Sequence, residues 1–150
     1  MNYELYMRAA LAEAAQAAAA GEEADGAVAV LDEAMVAHGR STVASTGDPT
    51  AHATLTAVRE AARRLGRRSL AGLTVFSVVE PCAMCTGALL EADADGVVFA
   101  LADRRSLAAT EILRIVERQA VPRRFQVVSG ILQEDAEELR PDLVPGAANA

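Results

Sequence analysis

Apolar residues recur along this chain with two different periods, and the switches between them mark out the elements. Over residues 3–20 the spacing is helical: Tyr3, Tyr6, Ala10, Leu11 and Ala14 share a face, strong helix formers surround them, and Gly21 ends the run. The alanines at 17–20 read as closely packed helix surface. Residues 26–31 (GAVAVL) are a short apolar β run, Asp32-Glu33 turns the chain, and 35–38 returns as the second strand of a hairpin. Residues 39–47 (GRSTVASTG) are loop by composition. A helix is expected next, with Asp48 capping it and Pro49 at its first position. Leu55, Val58, Ala62 and Leu65 share its apolar face, His52 lies in its first turn, and Gly66 closes it.

Residues 73–79 are continuously apolar, as in a central strand covered on both faces. A helix is expected from Glu80-Pro81 to about residue 92, with Pro81 at a start where its missing N–H has no partner to lose. Residues 96–100 (GVVFA) form the next strand, and a β-α-β run of this length implies a parallel crossover. A helix over 106–119 follows, with Ile112, Ile115 and Val116 inward and Glu111 outward; then come a last strand over 125–128 and a short helix over 133–139. Residues 141–150 read as loose. With no repeat and no linker, residues 1–150 read as one three-layer α/β/α domain around a mixed sheet of about five strands.

Composition narrows the partners. A hydrophobic fraction of 52% over 150 residues is ample for a buried core. Fourteen basic against 21 acidic side chains give a net charge of −7, which repels phosphate and makes nucleic acid a poor default partner. The arginine pairs at 63/64, 67/68, 104/105 and 123/124 are scattered and read as solvated helix ends and loops. Two tyrosines and three phenylalanines, read mostly as core, are too few for a stacking platform. No basic segment opens the chain, no run of about 18 apolar residues occurs, and two cysteines this close cannot staple a secreted scaffold. The expectation is a cytoplasmic protein with no membrane contact.

The candidate chemistry lies between Asp48 and Gly87. His52 stands ahead of a tight Cys82-x-x-Cys85 pair that contains the only cysteines in the chain. An imidazole and two thiolates supply three of four tetrahedral zinc ligands, and a catalytic site leaves the fourth position to water. Thiols near a helix N-terminus favour the thiolate that binds metal. A thioredoxin-like redox pair and two inert buried thiols are the competing readings of the C-x-x-C. His38 reads as a strand-end residue, and Glu80 as a structural carboxylate that hydrogen-bonds backbone.

The run Asp48-Pro49-Thr50-Ala51-His52-Ala53, followed by Glu80-Pro81-Cys82-x-x-Cys85 and Gly87-Ala88, resembles the cytidine deaminase superfamily. The recorded signature of its zinc enzymes is H-x-E…P-C-x-x-C. The likeness runs toward the branch of tRNA adenosine deaminases and guanine or cytosine deaminases. It extends to Tyr6-Met7-Arg8, Gly26-Ala27-Val28, Val97-Val98-Phe99 and the closing Val128-Ser129-Gly130-Ile131-Leu132. The resemblance implies that His52, Cys82 and Cys85 hold Zn2+, that His52 also contacts the base, that ammonia is released by hydrolysis, and that the protein is a homodimer.

Three positions depart from that pattern. Thr54 stands where the family has its proton-carrying glutamate, and a hydroxyl is no base near neutral pH. Ser41 takes the place of an asparagine that grips the base. Asp25 replaces a small apolar residue that lines the base pocket. Its carboxylate is a candidate for the missing proton transfer or for binding a cationic substrate; the alternative is an aspartate ending the Glu22-Glu23 turn in solvent. Three functions follow: a zinc-dependent hydrolytic deaminase of a small aminated heterocycle, with Asp25 and Thr54 as candidate catalytic residues and Ser41, Asp25 and His52 as substrate contacts; a catalytically silent zinc-binding homologue working as a binding or assembly protein; or a tRNA editor. The acidic balance, and an ending (PDLVPGAANA) where tRNA-editing relatives carry a basic helix, place editing last.

Overall fold

A computed structural model describes residues 1–103, 105, 112, 114, 115, 117, 118 and 125–146. The elements in order are α1 (Tyr3–Ala19), β1 (Gly26–Leu31), β2 (Ala34–Arg40), α2 (Val43–Thr46), α3 (Ala53–Leu65), β3 (Thr74–Val79), α4 (Ala83–Glu91), β4 (Gly96–Leu101), β5 (Gln126–Ser129) and α5 (Gln133–Leu139). The strands form a mixed five-stranded sheet ordered β2-β1-β3-β4-β5. β1 runs antiparallel to both β2 and β3, whereas β3, β4 and β5 are parallel. The expected α/β class and mixed sheet are therefore found.

Alternation along the strands divides the core in two. Ala27, Ala29, Val75, Val97 and Phe99 face α3 and α4, together with Leu89 and Phe125. Val28, Val30, Phe76, Val78 and Val98 face α1 and α5, against Tyr6, Met7, Ala10 and Ala136. Since both faces are covered, the inner strands carry apolar side chains at nearly every position.

Two helices lie unusually close to the sheet. A Cβ on Gly39 in β2 would sit 2.5 Å from both the Ala53 carbonyl oxygen and the Ala57 nitrogen of α3. One on Gly26 in β1 would sit 2.4 Å from the Ala10 carbonyl oxygen and the Ala14 nitrogen of α1. Backbone thus rests on backbone, and the helix faces there are alanine: Ala10, Ala14 and Ala17 in α1, and Ala53, Ala57 and Ala61 in α3, all fully buried. This corrects the expected face of α3, because Leu55, Ala62 and Leu65 lie at its margin and the alanines, with Thr54 and Val58, lie inward.

Several boundaries shift for local reasons. Asp48 caps no long helix; its carboxylate accepts from the Thr50 backbone at 2.8 Å and the Thr50 hydroxyl at 2.7 Å, closing a turn. Helix α3 starts only at Ala53, with His52 as its N-cap. Likewise Pro81 stands one residue before the N-cap of α4, which is Cys82. The expected loop over 39–47 holds the end of β2 and the single turn α2, whose Ala44 and Ser45 N–H groups donate to the Glu22 carboxylate at 2.7 Å each. Residues 141–146 are less loose than expected, since Leu143 is fully buried, and the rest of the expected loose segment lies outside the described residues. The helix expected over 106–119 lies mostly outside the described residues, as does Glu111; Ile112, Arg114, Ile115, Glu117 and Arg118 are helical, and Ile115 is exposed rather than inward. Among the described residues, no helix is long and apolar enough to cross a membrane.

Replacing Gly39 by valine is expected to cost about 1–3 kcal/mol in urea unfolding, because α3 must retreat from the strand. The same variant should bind zinc more weakly, since the retreat moves His52; wild-type stability together with wild-type zinc content would contradict the contact.

Candidate metal centre and active site

The strand ends place the site. Pairing of Ala27 with Ser77 sets the start of β1 beside the end of β3, pairing of Gly26 with Arg40 brings Ser41 next to Asp25, and pairing of Val79 with Leu101 brings Asp103 alongside Glu80. These residues share one end of the sheet, where the parallel strands present their carboxyl termini, the usual location of ligand sites in such sheets. Helices α3 and α4 both begin there. Their N-caps, His52 and Cys82, use neither side chain for capping, which leaves both free to converge.

They do converge. The Cys82 sulfur lies 3.5 Å and the Cys85 sulfur 3.7 Å from His52 Nδ1, and the three donor atoms fall within 4.8 Å of one another. A tetrahedral zinc ion with Zn–S about 2.3 Å and Zn–N about 2.0–2.1 Å has N···S edges of about 3.5–3.6 Å, so this donor set fits the ion without rearrangement. Both thiols are free, Cys85 buried and Cys82 half-buried. A hydrogen bond with the Cys85 thiol lowers the pKa of Cys82 to about 5, and the Cys85 backbone N–H and the imidazole add to this against the effect of burial. The same contact, with burial, pushes Cys85 far up. Without metal the two sulfurs in effect share one proton; a divalent cation takes its place.

A small cavity of about 50 Å³, open to solvent, lies beside the donors. Thr54 lies in its wall, 2% exposed. Its hydroxyl donates to Ser77 Oγ at 3.3 Å, and Ser77 donates in turn to the Val79 carbonyl at 2.6 Å. In this arrangement the Thr54 oxygen is left as an acceptor toward the cavity. Ser41, 4% exposed, lines the same space.

Asp25 also lines it. Its Oδ1 accepts from the Gly26 N–H at 2.9 Å and the Val79 N–H at 3.2 Å, which stitches the start of β1 to the end of β3. Desolvation raises its pKa to about 7, against the pull of those N–H donors and of Arg140. Asp25 therefore does not simply end a solvated turn. Glu80, buried, accepts from the Asp103 N–H at 3.0 Å, the structural part expected of it. His38 is remote from the site and faces Glu13 at 3.3 Å.

Five residues of this region were not expected as a linked set. Arg105 donates through Nε to Asp103 Oδ1 at 3.0 Å and through Nη2 to Oδ2 at 3.1 Å, and it also pairs with Glu23. Arg140, nearly buried, donates to Glu23 at 3.1 Å and to Asp142 at 2.9 Å. Arg105 is an exposed turn residue, in keeping with the expected solvated loop, and it also forms part of the cavity wall. The available clue was position: Asp103 and Arg105 follow directly after a parallel strand.

Residues 1–101 match the family model described as the cytidine and deoxycytidylate deaminase zinc-binding region. A tRNA-specific adenosine deaminase of Bacillus subtilis (strain 168) is 32% identical, over 88% of this chain and 82% of the relative. The guanine deaminase of the same organism is 39% identical over 67% of this chain and 65% of its own length. Among solved structures, one from a study of A-to-I editing by tRNA:A34 deaminases superposes with a TM-score of 0.81 at 29% identity, covering 89% of this chain and 97% of that one.

Replacing His52, Cys82 or Cys85 singly by alanine is expected to reduce zinc from about one ion per chain to under about a tenth, measured by elemental analysis of the purified protein. A variant that keeps stoichiometric zinc would remove its residue from the ligand set.

Proposed function

The chain belongs to the cytidine and deoxycytidylate deaminase zinc-binding family, and from that premise we propose that it is a hydrolytic deaminase of a small aminated heterocycle, a nucleobase or base analogue. The observation that carries the reading is the convergence of one imidazole nitrogen and two sulfurs, at tetrahedral-edge spacing, on the wall of a cavity at the carboxyl ends of the parallel strands. His52, Cys82 and Cys85 hold the ion. Bound zinc supplies Lewis acidity that brings the pKa of water toward 7.

The remaining work falls to the chain's own residues. Asp25 takes the proton that water loses as its oxygen bonds to the amine-bearing ring carbon. It returns a proton to the exocyclic nitrogen, and the C–N bond breaks with release of ammonia. Thr54, an acceptor toward the cavity, orients the water. Ser41 and His52 hold the ring. Hydrogen-bonded to two backbone N–H groups, Asp25 is fixed in place, as a group that must receive and return one proton has to be. A net charge of −7 and arginines already engaged by carboxylates favour a free base over tRNA, and a homodimer in the cytoplasm is part of the same reading.

The silent-homologue reading rests on Thr54 alone, and one experiment separates the two. Zinc-loaded protein should release ammonia from at least one member of a panel of aminated pyrimidines, purines and triazines. Asp25→Asn should reduce that rate by about 10²- to 10⁴-fold with zinc content unchanged. Thr54→Glu should not be required for turnover. Full activity in the asparagine variant removes Asp25 from the mechanism; silence in the wild type with activity in Thr54→Glu establishes the silent homologue.

A further inference from the structure

Carboxylates dominate the cavity wall, but they are not equivalent. Asp103 is held by two donors of Arg105, Glu23 is shared by Arg105 and Arg140, and Glu80 takes the Asp103 N–H. Each arginine is consumed in these pairs, Arg140 also by Asp142, so neither presents a free fork to an anion. Asp25 differs. Both of its hydrogen bonds fall on Oδ1, both come from backbone, and it forms no ion pair among the described residues. The second oxygen, Oδ2, has no partner there, although the residue lines the cavity beside the metal donors.

A half-buried carboxylate with one oxygen tied and one open is a receptor for a hydrogen-bond donor, best of all a charged one. Two thiolates at the neighbouring centre offset the charge of a divalent ion, so the metal does not cancel this preference. We infer that the cavity selects a protonated, amino-rich ring, with an amidinium-type edge (a ring N–H beside an exocyclic NH2) placed against Asp25, over neutral bases and over rings bearing a carboxylate or phosphate. The inference rests on the deaminase reading for the location of the site, and it goes further by assigning charge to the substrate.

The test is calorimetric titration of zinc-loaded protein, in neutral buffer, with three ring-matched pyrimidines: 2,4-diaminopyrimidine, which protonates near neutrality; cytosine, which is neutral; and 5-carboxycytosine, an anion. The cation should bind at least about tenfold more tightly than cytosine, the worth of making one hydrogen bond charge-assisted, and the anion should bind most weakly. The preference for the cation should narrow as salt is raised, a measurement that needs no variant. In Asp25→Asn it should shrink to within about threefold. Cytosine or the anion binding as well as the diamine, a preference insensitive to salt, or no binding of the diamine at millimolar concentration would each overturn the inference. Ammonia assayed in the same samples keeps the two ideas apart: turnover without cation preference leaves the deaminase standing, and cation preference without turnover leaves only the charge assignment.

Discussion

The site depends on a contact with no side chain in it. At Gly39 the backbone of β2 touches the first turns of α3, and the alanines on that face of the helix allow the approach. Ala53, whose carbonyl closes the contact, immediately follows His52. The height of the imidazole above the sheet is therefore set by backbone packing and not by a flexible side chain. The cysteines arrive by another route, because β3 runs straight into the N-cap and first turn of α4. Two rigid placements thus meet at spacings of 3.5 and 3.7 Å, and sliding either helix by one residue, about 1.5 Å, would spoil the match.

Helix starts serve the chemistry as well as the geometry. His52 and Cys82 are both N-caps, so the unpaired N–H groups of two first turns point toward the same small volume. That favours thiolates, and it leaves the imidazole free of capping duty. Around this centre the fold sets an acidic wall whose charges are mostly balanced internally by Arg105 and Arg140. Asp25 is the exception, half-buried at a strand junction and held by backbone hydrogen bonds alone. In a protein that otherwise pairs its buried charge, such a group marks where a ligand is expected to complete the set.

Much of this was legible in the sequence, for identifiable reasons. The strands announced themselves because a sheet covered on both faces needs largely apolar runs, as in 26–31 and, but for Thr74 and Ser77, in 73–79. The metal donors were legible because few other arrangements call for one histidine and a close cysteine pair. Helix starts were misjudged: Asp48-Pro49 and Glu80-Pro81 both resemble capping sequences, yet Asp48 spends its carboxylate on Thr50 and Pro81 stands ahead of Cys82. The inner face of α3 was misread because leucines draw attention, whereas the surface that meets a glycine must be alanine. The link that Glu23 makes between Arg105 and Arg140 was missed because it spans 82 and 117 residues, a separation that no local pattern records.

The most direct test of the account is zinc K-edge absorption spectroscopy on the purified protein. The account predicts a four-coordinate ion with two sulfur scatterers at about 2.3 Å and two lighter nitrogen or oxygen scatterers at about 2.0–2.1 Å, one from the imidazole and one from solvent. A shell with no sulfur, with four sulfurs, or with no zinc retained because the two thiols have joined in a disulfide would contradict it.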